Sequence, residues 1–187
     1  ALHMAYMASM SLRRRELKCN LLFLRVPDEE GDSAGMRGAL PMLTAFIRER
    51  ALDVLAALSG EPAFLIDAGH NPAGIAALCE TLDELFPNTE IIAVMAMMRD
   101  KDHANCIPVV ARRATCLIAS TVNLPRSLPP EELAMEAAPF CQTAVSCSVE
   151  EGISLAMKNA ATKGLILVCG SVYAAGEALR LLRTDPA

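Results

Sequence analysis

Residues 64–74 read Phe-Leu-Ile-Asp-Ala-Gly-His-Asn-Pro-Ala-Gly, an apolar run that ends in polar and turn-forming residues. The helical pattern Ile75–Phe86 follows at once. This succession is typical of a buried strand that stops at a polar turn, where a helix then begins. Ligands of open α/β sheets bind at such carboxyl ends of strands. The turn that carries Asp67 and His70 is therefore the first candidate for a functional site.

The same strand–turn–helix unit recurs five times after residue 62. The predicted strands are Phe64–Ile66, Glu90–Met97, Thr115–Thr121, Thr143–Cys147 and Gly164–Cys169. The predicted helices are Gly74–Phe86, His103–Ala114, a helix from the Pro129-Pro130 pair to about Phe140, Val149–Ala161 and Ala174–Arg183. We expect an irregularity at Pro108 and a capping box formed by Ser148 and Glu151. Apolar strands that alternate with helices predict a Rossmann-like three-layer α/β/α domain with a mostly parallel sheet.

The first 60 residues show less regular patterns. Asn20–Val26 has the composition of a strand, and Leu40–Leu58 has the periodicity of one or two amphipathic helices. The His3-Met4 pair is typical of a vector-derived remnant. We therefore predict two regions, an N-terminal extension, linker or vector-derived segment over residues 1–60 and the α/β domain over residues 61–187.

The composition argues against several classes of protein. Hydrophobic residues make up 53% of the chain and charged residues 21%, which favours a large core over disorder. A net charge of −5 with one basic cluster, Arg13–Arg15, argues against nucleic-acid binding, and no apolar window is long enough to predict a membrane span. The seven cysteines form no CxxC pair, so we expect no cysteine metal site and a reducing, cytoplasmic location.

Three predicted strands end in polar residues, at 67–71, 100–102 and 170–173. In a parallel sheet these ends share one edge, so their side chains could meet in a single cleft. An Asp there could hold a ribose hydroxyl or a metal-bound water, and a His or Lys could neutralise a phosphate or an oxyanion. The Gly170-Ser171 pair before a helix could offer N–H groups to a carboxylate or a phosphate.

Each of these residues also has a purely structural interpretation. Asp67 and Asn71 could cap the helix that follows them. His70 could be a hydrogen-bonded turn residue, Lys101 could lie in a solvated turn between two acids, and Ser171 could serve only as a helix cap. The sequence alone leaves these alternatives open.

Known nucleotide-binding and nucleophile motifs are missing from the sequence. It contains no Gly-x-x-x-x-Gly-Lys-Ser/Thr phosphate loop, no Gly-x-Gly-x-x-Gly fingerprint and no Gly-x-Ser-x-Gly elbow. The predicted fold does not name a function by itself.

Four segments together resemble the folylpolyglutamate and dihydrofolate synthases of the Mur ligase superfamily. Residues 65–74 are similar to that family's Leu-Asp-Gly-Ala-His-Asn-Pro signature, although Ala68 and Gly69 exchange the usual order. Residues 97–102 resemble its Gly-x-x-x-Asp-Lys-Asp segment without the leading Gly, and residues 124–133 resemble its Pro-Arg-Ser and Glu-Glu-Leu stretch. Residues 169–177 resemble its Gly-Ser-Leu-Tyr-x-x-Gly-Glu motif. These segments lie in the family's C-terminal domain.

The resemblance implies an ATP-dependent ligase that adds L-glutamate to folate or dihydropteroate through an acyl phosphate. It also implies a set of site residues, none of them a metal ligand. These are catalytic His70 and Asp67, glutamate-seating Ser171 and Tyr173, and Asp67, Asn71, Asp100 and Lys101 on the ATP side of the cleft.

ATP and Mg²⁺ are the implied cofactors, bound mainly by an N-terminal ATPase domain of the same protein. Residues 1–60 do not resemble that domain, so we expect this chain to be a C-terminal part of such a ligase and inactive alone. The implied partners are folate or dihydropteroate, L-glutamate and the ATPase domain, with no nucleic acid and no membrane. The alternative is a stand-alone module that binds a nucleotide or an amino acid without catalysis, which the missing phosphate loop keeps open.

Overall fold

The computed structural model describes the backbone of residues 21–24 and the whole of residues 62–161 and 164–182. These residues contain the strands β1 Leu21–Leu24, β2 Ala63–Asp67, β3 Ile91–Met95, β4 Cys116–Ala119, β5 Gln142–Val145 and β6 Leu165–Cys169. The strands form one sheet in the order β1-β2-β6-β3-β4-β5, and every neighbouring pair is parallel. The parallel α/β prediction is confirmed, and the strand-like segment near residue 20 joins the sheet as an edge strand beside β2.

Five helices belong to the described part of the chain. They are α1 Pro72–Leu85, α2 His103–Arg113, α3 Pro130–Ala137, α4 Val149–Asn159 and α5 Val172–Leu182. Buried residues of α1, α2 and α3 share one apolar cluster with the sheet, and those of α4 and α5 share another. The helices therefore cover both faces of the sheet and form the predicted three layers.

Alternate residues of the strands feed these two cores. Leu65 of β2 packs on the α1–α3 side, whereas its neighbours Phe64 and Ile66 pack on the α4–α5 side. In β6, Leu167 and Val168 divide between the two sides in the same way. All five positions of β3 and all five of β6 are buried. This explains why those strands read as continuous apolar runs, since a strand covered on both faces needs apolar residues at every position.

Two helices differ in detail from the sequence prediction. α2 continues across Pro108 without a break. A proline cannot donate to the carbonyl four residues earlier, but that carbonyl belongs to exposed Ala104, where water can solvate it.

α5 begins at Val172, two residues before the predicted start, because Ser171 already caps it: the Ser171 Oγ accepts from the Tyr173 N–H at 3.2 Å.

The cap of α4 follows the predicted pattern with one shift. The Ser148 side chain accepts a hydrogen bond from the Glu151 N–H at 3.1 Å. The Glu151 carboxylate accepts from the N–H of Cys147, one residue before the cap, rather than from Ser148 itself. The reciprocal contact that defines a capping box is therefore displaced by one residue.

Several sequence predictions lie outside the described residues, namely the helices within 40–58, the basic cluster at 13–15 and the His3-Met4 pair. The division at residue 60 stays a prediction for the same reason. Within the described ranges, no helix combines the length and the apolar character needed to cross a membrane. The six cysteines in those ranges are free thiols, and burial is the largest cause of a raised pKa at all of them except exposed Cys147.

Candidate functional site at the carboxyl edge of the sheet

The order of the strands creates a crevice between β2 and β6. The chain leaves β2 into α1 on one face of the sheet and leaves β6 into α5 on the other face. The two connections diverge, and in open α/β sheets such a point is where a ligand crevice forms above the carboxyl ends of the strands. Asp67, the last residue of β2, and Ser171, which follows β6 by two residues, lie at this crevice.

Asp67 is a buried carboxylic acid with one unused oxygen. It is 1% exposed, and its Oδ1 accepts a hydrogen bond from the Gly69 N–H at 2.6 Å. Its Oδ2 is buried and has no hydrogen-bond partner among the described residues. Burial raises the pKa of Asp67 to about 6, against the opposing effect of the Gly69 hydrogen bond. Asp67 is therefore no helix cap, and its Oδ2 can accept a hydrogen bond from a donor brought into the crevice.

The turn after Asp67 orients two further predicted residues. The His70 Nδ1 lies 3.0 Å from the Ala68 carbonyl oxygen. Because a carbonyl only accepts, Nδ1 carries the proton in this contact, and in the neutral ring Nε2 is the basic nitrogen. Asn71 caps α1, since its Oδ1 accepts from the Gly74 N–H at 2.8 Å. The interpretation of Asn71 as a helix cap is therefore correct.

The second loop of the crevice depends on glycine. Gly170 has a φ of 92°, and a Cβ there would lie 2.7 Å from the Ala96 carbonyl oxygen. Ser171 is buried and uses its Oγ to cap α5. Tyr173, in the first turn of α5, is 47% exposed. The cap therefore fixes the start of α5 and leaves the phenol at the surface.

The predicted ATP-side residues Asp100 and Lys101 follow β3. Asp100 is exposed and forms an ion pair with Arg126, with 3.2 Å between Asp100 Oδ2 and Arg126 Nη1. Lys101 is half-buried, its N–H donates to the Met98 carbonyl, and its side chain forms no ion pair with the other described residues. An uncompensated ammonium at this edge suits an anionic ligand, whereas Asp100 is already neutralised.

Arg126 joins two of the candidate residues and was not itself among the residues predicted from the sequence. Its Nη2 donates to the Tyr173 hydroxyl oxygen at 3.2 Å, while its Nη1 contacts Asp100. The available signal was the cationic residue of the Pro125-Arg126-Ser127 segment in the polar loop after β4. That signal placed Arg126 at the carboxyl edge of the sheet but could not show which segments its side chain joins.

The predicted residues thus fall into two connected groups. The first comprises Asp67, His70 and Ser171 around the crevice, and the second comprises Asp100 and Tyr173, joined by Arg126. The hydrogen bond between Ser171 Oγ and the Tyr173 N–H connects the groups. Among the described residues, no cluster of three or more His, Cys, Asp or Glu side chains could hold a metal ion.

A surface pocket of about 450 Å³ adjoins the second group. Tyr173 forms part of its wall, together with Asn123 from the loop after β4 and with Glu177 and Arg180 from α5. Neither Glu177 nor Arg180 forms an ion pair with another described residue. The pocket therefore presents a carboxylate and a guanidinium one helical turn apart, beside an aromatic ring. It does not include Asp67 or Ser171.

The fold and this geometry together define a Rossmann-like domain with a candidate ligand site at a strand-order switch point. The family model described as "Mur ligase, glutamate ligase domain" matches residues 53–172, and the chain belongs to this family.

Curated relatives are synthases of folate metabolism. The chain is 25% identical over 174 residues to a probable bifunctional folylpolyglutamate synthase/dihydropteroate synthase of Halobacterium salinarum, covering 81% of this chain and 20% of the relative. It is 29% identical over 141 residues to a dihydrofolate synthase/folylpolyglutamate synthase of Mycobacterium tuberculosis, covering 67% of this chain and 29% of the relative. The chain thus spans less than a third of the length of these relatives.

Solved structures give the same result. The Mycobacterium tuberculosis folylpolyglutamate synthase complexed with ADP superimposes with a TM-score of 0.60 at 28% identity, covering 67% of this chain and 31% of that one. A bifunctional folylpolyglutamate synthase/dihydrofolate synthase from Yersinia pestis, complexed with AMPPNP and Mn ion, has a TM-score of 0.60 at 25% identity, covering 66% and 29%. These findings confirm the resemblance and the fold predicted from the sequence.

Proposed function

We propose that this chain serves as the glutamate-ligase domain of an ATP-dependent folate ligase. The whole enzyme would add L-glutamate to folate or dihydropteroate through an acyl phosphate, and the chain alone would be inactive. The observation that carries this proposal is the crevice between β2 and β6, where two motifs of the family meet: the Gly170 N–H donates to the Gly69 carbonyl at 3.1 Å, beside Asp67 and Ser171. Solved relatives with ADP or with AMPPNP and Mn ion support the use of a nucleotide and a divalent metal by the whole enzyme.

ATP, with Mg²⁺, supplies the phosphoryl group that activates a carboxylate of the acceptor, and both would be held mainly by an N-terminal ATPase domain. The residues of this chain fit the outer part of such a nucleotide. The buried Asp67 Oδ2 has a free lone pair, which suits a hydroxyl donor such as ribose and would repel a phosphate. The Lys101 ammonium suits an anionic group. His70, with a proton fixed on Nδ1, would present Nε2 as a base or, when protonated, as a donor to developing negative charge.

The incoming amino acid fits the pocket beside Tyr173. L-Glutamate carries an ammonium group and two carboxylates, and the pocket offers the Glu177 carboxylate and the Arg180 guanidinium one helical turn apart. Tyr173 adds a hydroxyl at the edge of the crevice. Ser171 is buried and already caps α5, so we propose that it acts by fixing the start of α5 and by its remaining O–H donor.

The test compares this chain with a longer protein. The gene upstream should encode, in frame, an ATPase domain with a Gly-x-x-Gly-Lys-Gly/Ser phosphate loop. The longer protein should release ADP only when ATP, L-glutamate and folate or dihydropteroate are all present, and this chain by itself should release none. Glutamate-dependent ADP release by the chain alone would refute the proposal that ATP is held mainly by a separate N-terminal domain. An upstream region without a phosphate loop would favour the stand-alone binding module.

A further inference from the structure

Two loops and the first turn of α5 meet at Arg126, at the carboxyl edge of the sheet. Its backbone is held from one side, because its carbonyl accepts from the Arg99 N–H at 2.8 Å and the Leu128 N–H donates to the Met97 carbonyl at 2.8 Å. A β-bridge between Met98 and Ser127 lies between these two bonds. The loop after β4 is thus fastened along the loop after β3. The position of Arg126 is therefore fixed by backbone contacts, independently of its side chain.

The side chain of Arg126 reaches beyond these two loops to α5. One guanidinium nitrogen contacts Asp100 Oδ2 at 3.2 Å and another donates to the Tyr173 hydroxyl at 3.2 Å. The guanidinium carbon also lies 5.8 Å from the centre of the Tyr173 ring, within the range of a cation–π contact. The hydrogen bond with Tyr173 and the charge of Asp100 both raise the pKa of Arg126. A single side chain therefore connects the ends of β3 and β4 with the first turn of α5.

The contacts of the Arg126 side chain with Asp100 and Tyr173 contribute little to the stability of the fold. The Arg126 and Asp100 side chains are 53% and 54% exposed, and ion pairs between exposed groups add little to the free energy of folding. The contact with Arg126 matters more for the position of the Tyr173 phenol, which would otherwise project into water from the first turn of α5. Arginine is suited to this contact because its planar guanidinium can donate to two acceptors at once. A lysine ammonium lacks this planar arrangement of donors.

We propose that Arg126 is a positioning residue that holds the Tyr173 phenol against the Asp100 loop and thereby fixes one wall of the adjacent pocket. Its effect on L-glutamate rests on the proposed function. Arg126 does not line the pocket, so it acts through Tyr173. Loss of the Arg126 side chain should release the phenol, weaken the binding of the incoming amino acid and leave the chemical step largely intact.

The first test reports on Tyr173 directly and needs no enzymatic activity. The sequence has two tyrosines and no tryptophan, so in a Tyr6→Phe background the tyrosine fluorescence arises from Tyr173 alone. Arg126→Met should lower the steady-state anisotropy of this emission and change the ring signals in NMR spectra, and Arg126→Lys should give a partial change. Arg99→Met is the matched control, because Arg99 lies on the adjoining loop and pairs with Glu132. An Arg126→Met or Arg126→Lys protein with unchanged Tyr173 signals overturns the proposal.

The second test uses the longer protein and its glutamate-dependent ADP release. Arg126→Met should raise the KM for L-glutamate by about tenfold and change kcat by less than about threefold, as expected when an orienting contact is lost rather than a reacting group. Arg126→Lys should recover part of the affinity, and Arg99→Met should leave both constants unchanged. An unchanged KM in Arg126→Met overturns the inference. Failure of the proposed function looks different, since the unsubstituted protein would then show no dependence on glutamate.

Discussion

The Gly170 N–H donates a hydrogen bond to the Gly69 carbonyl oxygen over 3.1 Å, and this single backbone contact joins the loops that follow β2 and β6. Each of these glycines also has little room for a side chain. A Cβ on Gly69 would lie 2.6 Å from Asp67 Oδ1, and a Cβ on Gly170 would lie 2.7 Å from the Ala96 carbonyl oxygen. The hydrogen bond between Gly170 and Gly69 is therefore the contact that sets how closely the two loops approach each other. This approach brings Asp67 and Ser171, more than 100 positions apart in the chain, to the same crevice.

The conformation of Gly170 leads to the first prediction. Gly170→Ala should lower the free energy of unfolding by roughly 1–3 kcal/mol from backbone strain alone, since φ of 92° is unfavourable for any residue with a Cβ. The contact with the rigid Ala96 carbonyl should add to this loss. Urea unfolding followed by far-UV circular dichroism measures the change.

Gly176 provides the matched control for this substitution. It lies inside α5, and a Cβ there would meet no atom within 4 Å. Gly176→Ala should therefore raise the free energy of unfolding by roughly 0.5–1 kcal/mol, as alanine does in a helix interior. Equal effects of the two substitutions would show that the strain assigned to Gly170 is absent.

Burial of Asp67 leads to the second prediction, a dependence of stability on pH. The pKa of Asp67 is raised from 3.8 to about 6 in the folded chain, so folding favours the protonated carboxyl. The contribution of this group is fully present below about pH 4 and is lost as the pH rises through about 6. Asp67→Asn removes the ionisation and retains an oxygen to accept from Gly69. The stability of Asp67→Asn relative to the native sequence should thus increase by up to about 3 kcal/mol between about pH 3.5 and about pH 7.

The measurement is a series of urea titrations of both proteins across that pH range. A difference in free energy of unfolding that stays the same at every pH does not report on the ionisation of Asp67, because the asparagine amide has its own cost of burial. Asp83→Asn is the control for losing one carboxylate at an exposed position, and its difference from the native sequence should stay within about 1 kcal/mol. A curve for Asp67→Asn that runs parallel to the native one would mean that Asp67 titrates normally.

Hydrophobic periodicity was sufficient to predict most of the fold. Strands buried on both faces, such as Leu165–Cys169, appear in the sequence as short continuous apolar runs. Capping residues mark the starts of three helices, at Asn71, Ser148 and Ser171. The strand order could not be predicted in this way, because β6 enters between β2 and β3 through contacts between distant segments. Local patterns fix the type of an element, whereas long-range pairing decides its neighbours.

The sequence predicted that the candidate residues lie near one another, but it did not predict their contacts. The polar strand ends were correctly predicted to share one edge of the parallel sheet, and the motif resemblance selected Asp67 and Ser171 as candidates. The sequence could not show that Asp67 is buried with one oxygen unused, since burial depends on how segments distant in the chain pack together. The sequence also did not indicate that Arg126 joins Asp100 to Tyr173, because that contact spans two loops and the first turn of α5.

The cap of α4 gives the third prediction. The Ser148 Oγ accepts from the Glu151 N–H, so Ser148→Ala should lower the free energy of unfolding by about 1 kcal/mol. Ser154 lies exposed within the same helix, and Ser154→Ala should change stability by no more than about 0.5 kcal/mol. Thermal and urea unfolding of the pair, at one pH, separate the loss of the cap from the loss of a hydroxyl. A Ser148→Ala chain as stable as Ser154→Ala would show that water satisfies the first turn of α4 equally well.

The proposed role of His70 leads to the last prediction, which needs the longer protein with glutamate-dependent ADP release. His70 lies on the turn next to Asp67, with Nδ1 held by the Ala68 carbonyl and Nε2 therefore oriented. If this nitrogen acts on the reacting groups, His70→Ala should lower kcat by about 100-fold or more, the usual contribution of a positioned acid–base group. His103 is the matched control, because it pairs with Glu136 on the surface between α2 and α3, and His103→Ala should leave kcat within about twofold. Circular dichroism must show both variants folded. Native turnover in folded His70→Ala would leave His70 only the structural role of a hydrogen-bonded turn residue.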